Sequence, residues 1–284
     1  MSYQKSNNYK SNYNKEEWIK RKNQERDETY QKIDISAGKT LKDEKLFKQY
    51  LDIQSRFSSY SVGNALLISL EMPNTTLFRD REGWNKKGIN VKPYAKSFTI
   101  LEPTSPYERP DGTKATYYNP KKMYDISQTD SKQSEKAKVY STEELLRAFI
   151  HDCPVEIKST EILSDGSLGA EYNKEENVLY VCRGLDTNIM FQVLSSELAK
   201  ISLSDKPETS LSDFKTYCAS YMICKKYGLD VSNYNFDVLP PEIKEMTVTQ
   251  FREELSKIRD AMIDVDSRVS EALEKSKKNK EQER

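Results

Sequence analysis

One histidine, His151, stands in 284 residues. A metal centre built on imidazoles, or a catalytic histidine with a second to support it, is nearly excluded by that count. Cysteine is scarce and scattered. Cys153, Cys182, Cys218 and Cys224 show no C-x-x-C spacing, which argues against a disulfide framework and a structural zinc site. A cytoplasmic protein with reduced thiols is the expectation. No apolar run is long enough to span a bilayer. The opening stretch MSYQKSNNYKSNYNKEEW lacks the apolar centre of a signal peptide. Net charge is missing as well. The 45 basic and 45 acidic residues cancel, so any contact with nucleic acid must come from a local patch.

What the chain has in quantity is charge. Charged residues make up 32% and the mean hydropathy is −0.83, which implies that part of the chain is disordered or forms exposed helix. The length suffices for two domains, or one large one, with a buried core. Residues 1–35 read as a flexible tail, with a solvated helix possible from Glu16 to Lys32. Leu46, Tyr50, Ile53 and Phe57 recur at helical spacing. A second helix, through Asn64, Leu66, Leu67 and Leu70, stops at Pro73. Strand-like runs follow in SFTILEP and KKMYDISQT, among many turn residues. Residues 131–140 read as a linker between a first unit, 36–130, and a second, 141–275, with a charged tail at 276–284.

The second unit opens on a capping box, Ser141 with Glu144. VEIKST and LGAEYNKEENVLYVCRG predict a small sheet with a hairpin through NKEEN. A helix at 187–202 and another ending at Gly228 come next. Phe251, Leu255, Ile258, Met262, Val265, Val269 and Leu273 then mark one long amphipathic helix.

Three stretches hold candidate chemistry. In FQVLSSELAKI, Ser196, Glu197 and Lys200 form S-E-x-x-K, where a zinc helix reads H-E-x-x-H. Serine is a poor zinc ligand and a protonated lysine is repelled by the ion. Glu197 alone works as a general base only where something polarises the water. A Ser196–Lys200 dyad is geometrically allowed, and a plain amphipathic helix explains the pattern equally. The second stretch is basic and aromatic. Arg79, Arg81, Lys86, Lys87, Lys92 and Lys96 fall within eighteen residues, interleaved with Phe78, Trp84, Tyr94 and Phe98. Aromatic faces for bases beside cations for phosphates are what single-strand binding requires. The alternative makes Trp84 and Phe98 core and the lysines solvated surface, and a second, tyrosine-rich segment, ATYYNPKKMYDISQT, carries the same two readings. The third is His151 near Cys153, which lacks an orienting group for a dyad and suits a helix C-terminus.

FSSYSVGNALLISLEMPNTTLFRDREGWNKKGINVKPYAKSFTILEP resembles the N-terminal single-stranded-DNA-binding domain of ArdC-type antirestriction proteins. The resemblance rests on Phe57, Tyr60, Ser61 and Asn64, on Gly83, Trp84, Lys86 and Gly88, on Val91 and Lys92, and on YDISQT at 124–129. The family continues V-K-K-G-E-K where this chain has VKPYAK, so a turn glycine and one charge are missing. In that family a zincin-like metallopeptidase domain commonly follows, and the second half is similar to it. The family's first histidine falls on Ser196 and its second on Lys200. Its glutamate is kept as Glu197, and its third ligand falls on Tyr217.

The resemblance implies an α+β protein, with a mixed N-terminal nucleic-acid-binding domain followed by a zincin-like domain that has a small sheet and a long C-terminal helix. It implies a phage or plasmid anti-defence protein that binds single-stranded DNA or RNA through Tyr60, Asn64, Arg79, Arg81, Trp84, Lys86, Lys87, Lys92, Lys96, Tyr124 and Gln128. With all three ligands replaced, it implies a pseudopeptidase with no metal, no cofactor and no catalysis. The alternative is a protein-binding inhibitor of a host restriction or CRISPR nuclease, acting through the pseudopeptidase domain or the C-terminal helix. A working hydrolase using Glu197, or Ser196 with Lys200, is a third reading.

Overall fold

The computed structural model describes residues 15–109, 111–131, 139–204 and 209–282. Of the expected tails at 1–35 and 276–284, residues 1–14 and 283–284 lie outside those residues, as does most of the expected linker; 276–282 are the last turns of a helix instead of tail.

Helix α1 (Lys15–Thr40) covers the solvated helix read at Glu16 to Lys32 and continues to Thr40, past the expected end of the tail at residue 35. Its first half is nearly all charged or polar, which is why it reads as tail. Its second half buries a narrow row of mostly small residues, Thr29, Ile33, Ser36, Ala37 and Thr40. Small side chains allow close approach to α3 (Val62–Glu71). Ser36 Oγ donates to the Leu66 carbonyl at 2.8 Å. A Cβ on Gly63 would sit 3.1 Å from Ile33 Cδ1, so a larger residue there would make Ile33 shift. Helix α2 (Glu44–Arg56) starts where the Asp43 carboxylate accepts the Leu46 N–H, and α3 where Ser61 Oγ accepts the Asn64 N–H.

The first sheet joins β1 (Phe78–Arg79), β2 (Phe98–Pro103) and β5 (Tyr118–Asp125) in the order β1-β5-β2, all antiparallel. Between β1 and β2 lies the short α4 (Arg81–Asn85). Between β2 and β5 an arm projects, closed by β3 (Tyr107–Glu108) and β4 (Lys114–Ala115). Asn64 docks the sheet on α3. Its Nδ2 donates to the Leu101 carbonyl and its Oδ1 accepts the Leu101 N–H, both at 2.8 Å and both buried. Edge strand β2 thus has backbone groups satisfied by one side chain.

The second half opens on α5 (Thr142–Ile150), with the expected capping box. Strands β6 (Glu156–Thr160), β7 (Ala170–Asn173) and β8 (Val178–Cys182) form a sheet in the order β6-β8-β7. β6 runs parallel to β8 and β7 antiparallel to it. The NKEEN turn forms as expected: Asn173 Oδ1 accepts the N–H groups of Glu175 and Glu176, and Asn177 takes a φ of 55°. Helices α6 (Thr187–Leu203), α7 (Ser212–Lys226), α8 (Pro241–Glu245) and α9 (Val248–Gln282) complete an α+β fold. Among the described residues no helix is long and apolar enough to cross a membrane.

One buried cluster runs from Ile33 to Leu273 and crosses the expected boundary between the units. Phe47 of α2 stacks on Phe214 of α7 at 5.6 Å and lies 6.2 Å from Phe251 of α9. Polar links cross as well. Tyr221 Oη donates to Asp52 at 2.5 Å, and Arg259 Nε donates to the Tyr60 carbonyl at 2.8 Å. All seven apolar positions read on α9, from Phe251 to Leu273, are buried. The stripe that the inhibitor alternative would offer to a partner is therefore used inside the fold.

Asn64→Ala leaves two buried backbone groups unpaired and should cost about 2–4 kcal/mol. Urea denaturation reads this directly, and an unchanged midpoint would contradict the docking role.

Candidate functional site

The basic segment between β1 and β2 is strapped down by its own polar groups. Asp80 caps α4, accepting the Gly83 N–H at 2.7 Å. A Cβ on Gly83 would lie 2.6 Å from that same oxygen, which explains the glycine of the G-W pair. Trp84 is 1% exposed, and its Nε1 donates to the Tyr124 carbonyl at 2.8 Å. Gly88, at φ 71°, ends the turn after α4. Lys92 N–H then donates to the Gln128 carbonyl at 2.8 Å, and Asn90 donates from backbone and side chain to Asp130. Those two bonds hold the Asp130 carboxyl below the usual carboxylate range. Asp125 anchors the strand end, accepting from Thr75 Oγ1, Thr76 N and Ser127 N. Burial pushes its carboxyl up, but these bonds outweigh it and the net direction is down.

This geometry sorts the expected binding residues into two groups. Asn64 and Trp84 are buried. Gln128 accepts the Asp125 N–H at 2.9 Å and donates to the Lys96 carbonyl at 2.7 Å. Tyr60 is half-buried against Phe57 and Phe78. These four build the platform. Stacking a base on Trp84, as the sequence suggested, is corrected: its ring lies in the core, as the alternative reading had it. Arg79, Arg81, Lys86, Lys87, Lys92 and Lys96 are exposed. Tyr124 is half-buried, with the Arg81 guanidinium 4.9 Å over its ring, while Arg79 sits 5.8 Å over Trp84.

The register puts Arg79, Lys122 and Tyr124 on one face of the sheet. Phe78 and Met123 point into the core, so Arg79, paired opposite Tyr124, and Lys122, two residues from it, point the other way. Lys86 is paired with Glu82 at 2.7 Å, and Lys92 Nζ donates to the Ser127 carbonyl at 2.9 Å. Arg79, Arg81, Lys87, Lys96 and Lys122 have no carboxylate partner within ion-pair distance among the described residues. Sequence reading singled out the segment ATYYNPKKMYDISQT but not Lys122 within it, whose alternation with Met123 in KKMYD was the available signal. It also left Tyr94 off the site, a fully exposed ring at φ 62°.

The second candidate is the S-E-x-x-K helix, α6. Its Glu197 is nearly enclosed, and a carboxylate oxygen accepts the Tyr172 N–H of edge strand β7 at 2.7 Å. Lys200 Nζ stands 3.8 Å away. Burial is the main cause that pushes the Glu197 carboxyl above its usual range. The Tyr172 bond and the Lys200 charge only partly offset it. Ser196 and Tyr217 line one small cleft of about 200 Å³ with Gln192, Ser220 and Tyr234. Lys200 instead lines a neighbouring cleft with Tyr172 and Thr216. Tyr217 Oη accepts the Asn235 N–H at 2.6 Å. A serine, a lysine and an occupied phenol are a poor donor set for a divalent metal. No group of three His, Cys, Asp or Glu converges among the described residues.

No protein-family model matches the chain, and no curated protein does. Among solved structures it is similar to the antirestriction protein ArdC from the R388 plasmid in its metal-free form. That match has 12% identity and a TM-score of 0.44, and it covers 76% of this chain and 83% of that one. The Mn(II)-bound form of the same protein gives a TM-score of 0.42 at the same identity and coverage. A likeness at this level leaves the reading of the site to this chain's own residues.

Glu197 gives a pH-dependent prediction. Its folded pKa is raised, so the folded state holds the proton more tightly than the unfolded state. Ionising it subtracts stability as pH rises from the ordinary glutamate range through the folded pKa, and the deficit is absent below about pH 4. Glu197→Gln keeps an acceptor for Tyr172 and should be at least as stable as wild type at pH 7, the gain vanishing near about pH 4. Glu197→Ala orphans the Tyr172 N–H and should cost about 1–2 kcal/mol. Thermal melts of both variants across pH check this, and equal losses at pH 7 would contradict it.

Proposed function

We propose that the chain binds single-stranded nucleic acid, DNA foremost, across the face carrying Arg79, Arg81, Lys122 and Tyr124 and the adjoining loop with Lys87, Tyr94 and Lys96. The observation that carries this is a group of five cations without carboxylate partners among the described residues, two on the sheet and three on the α4 helix and loop held against it, beside guanidinium–aromatic contacts. Unpaired cations meet phosphates by counterion release, and guanidinium planes and tyrosine rings accept bases without regard to sequence. The order of motifs resembling ArdC-type proteins supports the biological half of the proposal: an antirestriction-like, anti-defence role for a phage or plasmid.

The second half acts, on this reading, as a scaffold. Glu197, the one letter kept from the metallopeptidase helix, accepts a hydrogen bond from the backbone of β7. Ser196, Lys200 and Tyr217 offer no ligand set for zinc, so no step through a metal follows.

Fluorescence anisotropy across a salt series tests the binding. Single-stranded DNA should bind with a slope of log K against log salt of roughly −0.7 per phosphate neutralised, and duplex should bind more weakly. Arg79→Glu/Arg81→Glu/Lys122→Glu should weaken single-strand binding at least about tenfold without changing the melting temperature, whereas Trp84→Phe should lower the melting temperature and leave affinity intact. Wild-type affinity in the triple variant would refute the site. For the scaffold reading, protein supplied with zinc or manganese should cleave no casein. Cleavage abolished by Glu197→Ala would overturn it.

A further inference from the structure

We propose that the β3–β4 arm and α1 form a second stacking station for the same single strand, separate from the sheet face; this rests on the binding reading above. Between Glu102 and Asn119 no described residue is buried, so the arm adds nothing to the core. Its two strands are two residues each, far below what holds a hairpin together in water. Its tip is closed by the Arg109 N–H donating to the Thr113 carbonyl and by Asp111 accepting from Thr113, and its sides carry ring contacts. The rings of Tyr107 and Tyr117 stack at 4.4 Å with 7° between their planes, and the Arg26 guanidinium of α1 lies 5.4 Å over Tyr117. Thr104 closes the base of the arm on the Tyr117 carbonyl, from both N and Oγ1. Arg109 lies beside the Tyr107 hydroxyl. The result is two parallel rings and the Arg109 guanidinium in a segment with no packing task, with the Arg26 guanidinium of α1 beside them. Those side chains suit bases and phosphates, and a projecting arm keeps them accessible.

The position fits one ligand crossing both stations. The arm leaves the sheet at the Pro103 and Tyr118 end of β2 and β5, while Arg79 and Tyr124 sit at the other end of β5. Six residues of strand separate Tyr118 from Tyr124, or about 20 Å. Lys122 lies between them. A single strand of several nucleotides spans that distance, and a very short one does not.

The test uses full-length protein and labelled oligothymidines of about 3 nucleotides, too short to reach both stations, and of about 15 nucleotides, within the range of single-strand site sizes. Tyr107→Ser/Tyr117→Ser should bind the longer strand about 5- to 100-fold more weakly, with the shorter strand and the melting temperature unchanged. Tyr107→Phe/Tyr117→Phe, which keeps the rings, should retain wild-type affinity. If the serine variant binds the longer strand like wild type while the Arg79/Arg81/Lys122 variant does not, the arm is no station and the sheet-face reading stands. Equal weakening toward both lengths would also overturn a separate station. If wild-type protein binds neither length, both readings fall.

Discussion

Seven apolar residues on one face of α9 hold this protein together. Phe251, Leu255, Ile258, Met262, Val265, Val269 and Leu273 receive packing from helices of both halves. At about 1.5–3 kcal/mol for each fully buried side chain, this stripe is among the largest apolar contributions in the molecule. The register of α9 is then fixed by polar contacts. Asp266 pairs with Lys226 at 2.6 Å and accepts the Tyr227 hydroxyl at 2.7 Å, while Lys226 also reaches Ser58 near the end of α2. Removing either charge would strand its partner in a largely enclosed site, so the pair specifies one arrangement of the helices.

That arrangement decides what remains for function. Once Phe78, Phe98, Ile100 and Met123 are committed to the core, alternation along the strands turns Arg79, Lys122 and Tyr124 outward. Trp84, Gln128 and Asp125 hold the loop against the strand end, so its cations project from a fixed base. On α6 the same logic runs the other way. The helix packs so closely on β7 that Glu197 becomes the hydrogen-bond partner of an edge strand, a structural task that needs no metal and no substrate.

The elements that fold by pattern were legible. The stripes of α2, α3 and α9, the capping box of α5 and the NKEEN hairpin all stand where periodicity and turn chemistry put them. Helix α1 was half legible, because charged residues dominate it and its buried row is mostly Thr, Ser and Ala, which carry little hydrophobic signal. The binding residues divided along a line that composition cannot draw. Trp, Asn and Gln serve equally as ligands of a base and as satisfiers of buried backbone, and only burial and hydrogen-bond partners assign Trp84, Asn64 and Gln128 to the second task. Lys122 went unseen because its role depends on the register of β5. Glu197 was seen, but its partner lies twenty-five residues away on another element.

The central claim is that single strands lie on the face of Arg79, Arg81, Lys122 and Tyr124. Ultraviolet cross-linking of the full-length protein to single-stranded DNA, followed by mass spectrometry of the peptides, tests it most directly. The account predicts adducts on the peptides that contain Tyr124 and Tyr94, suppressed by added salt. Adducts confined to the second half, around α6 and α7, or none at all, would contradict it.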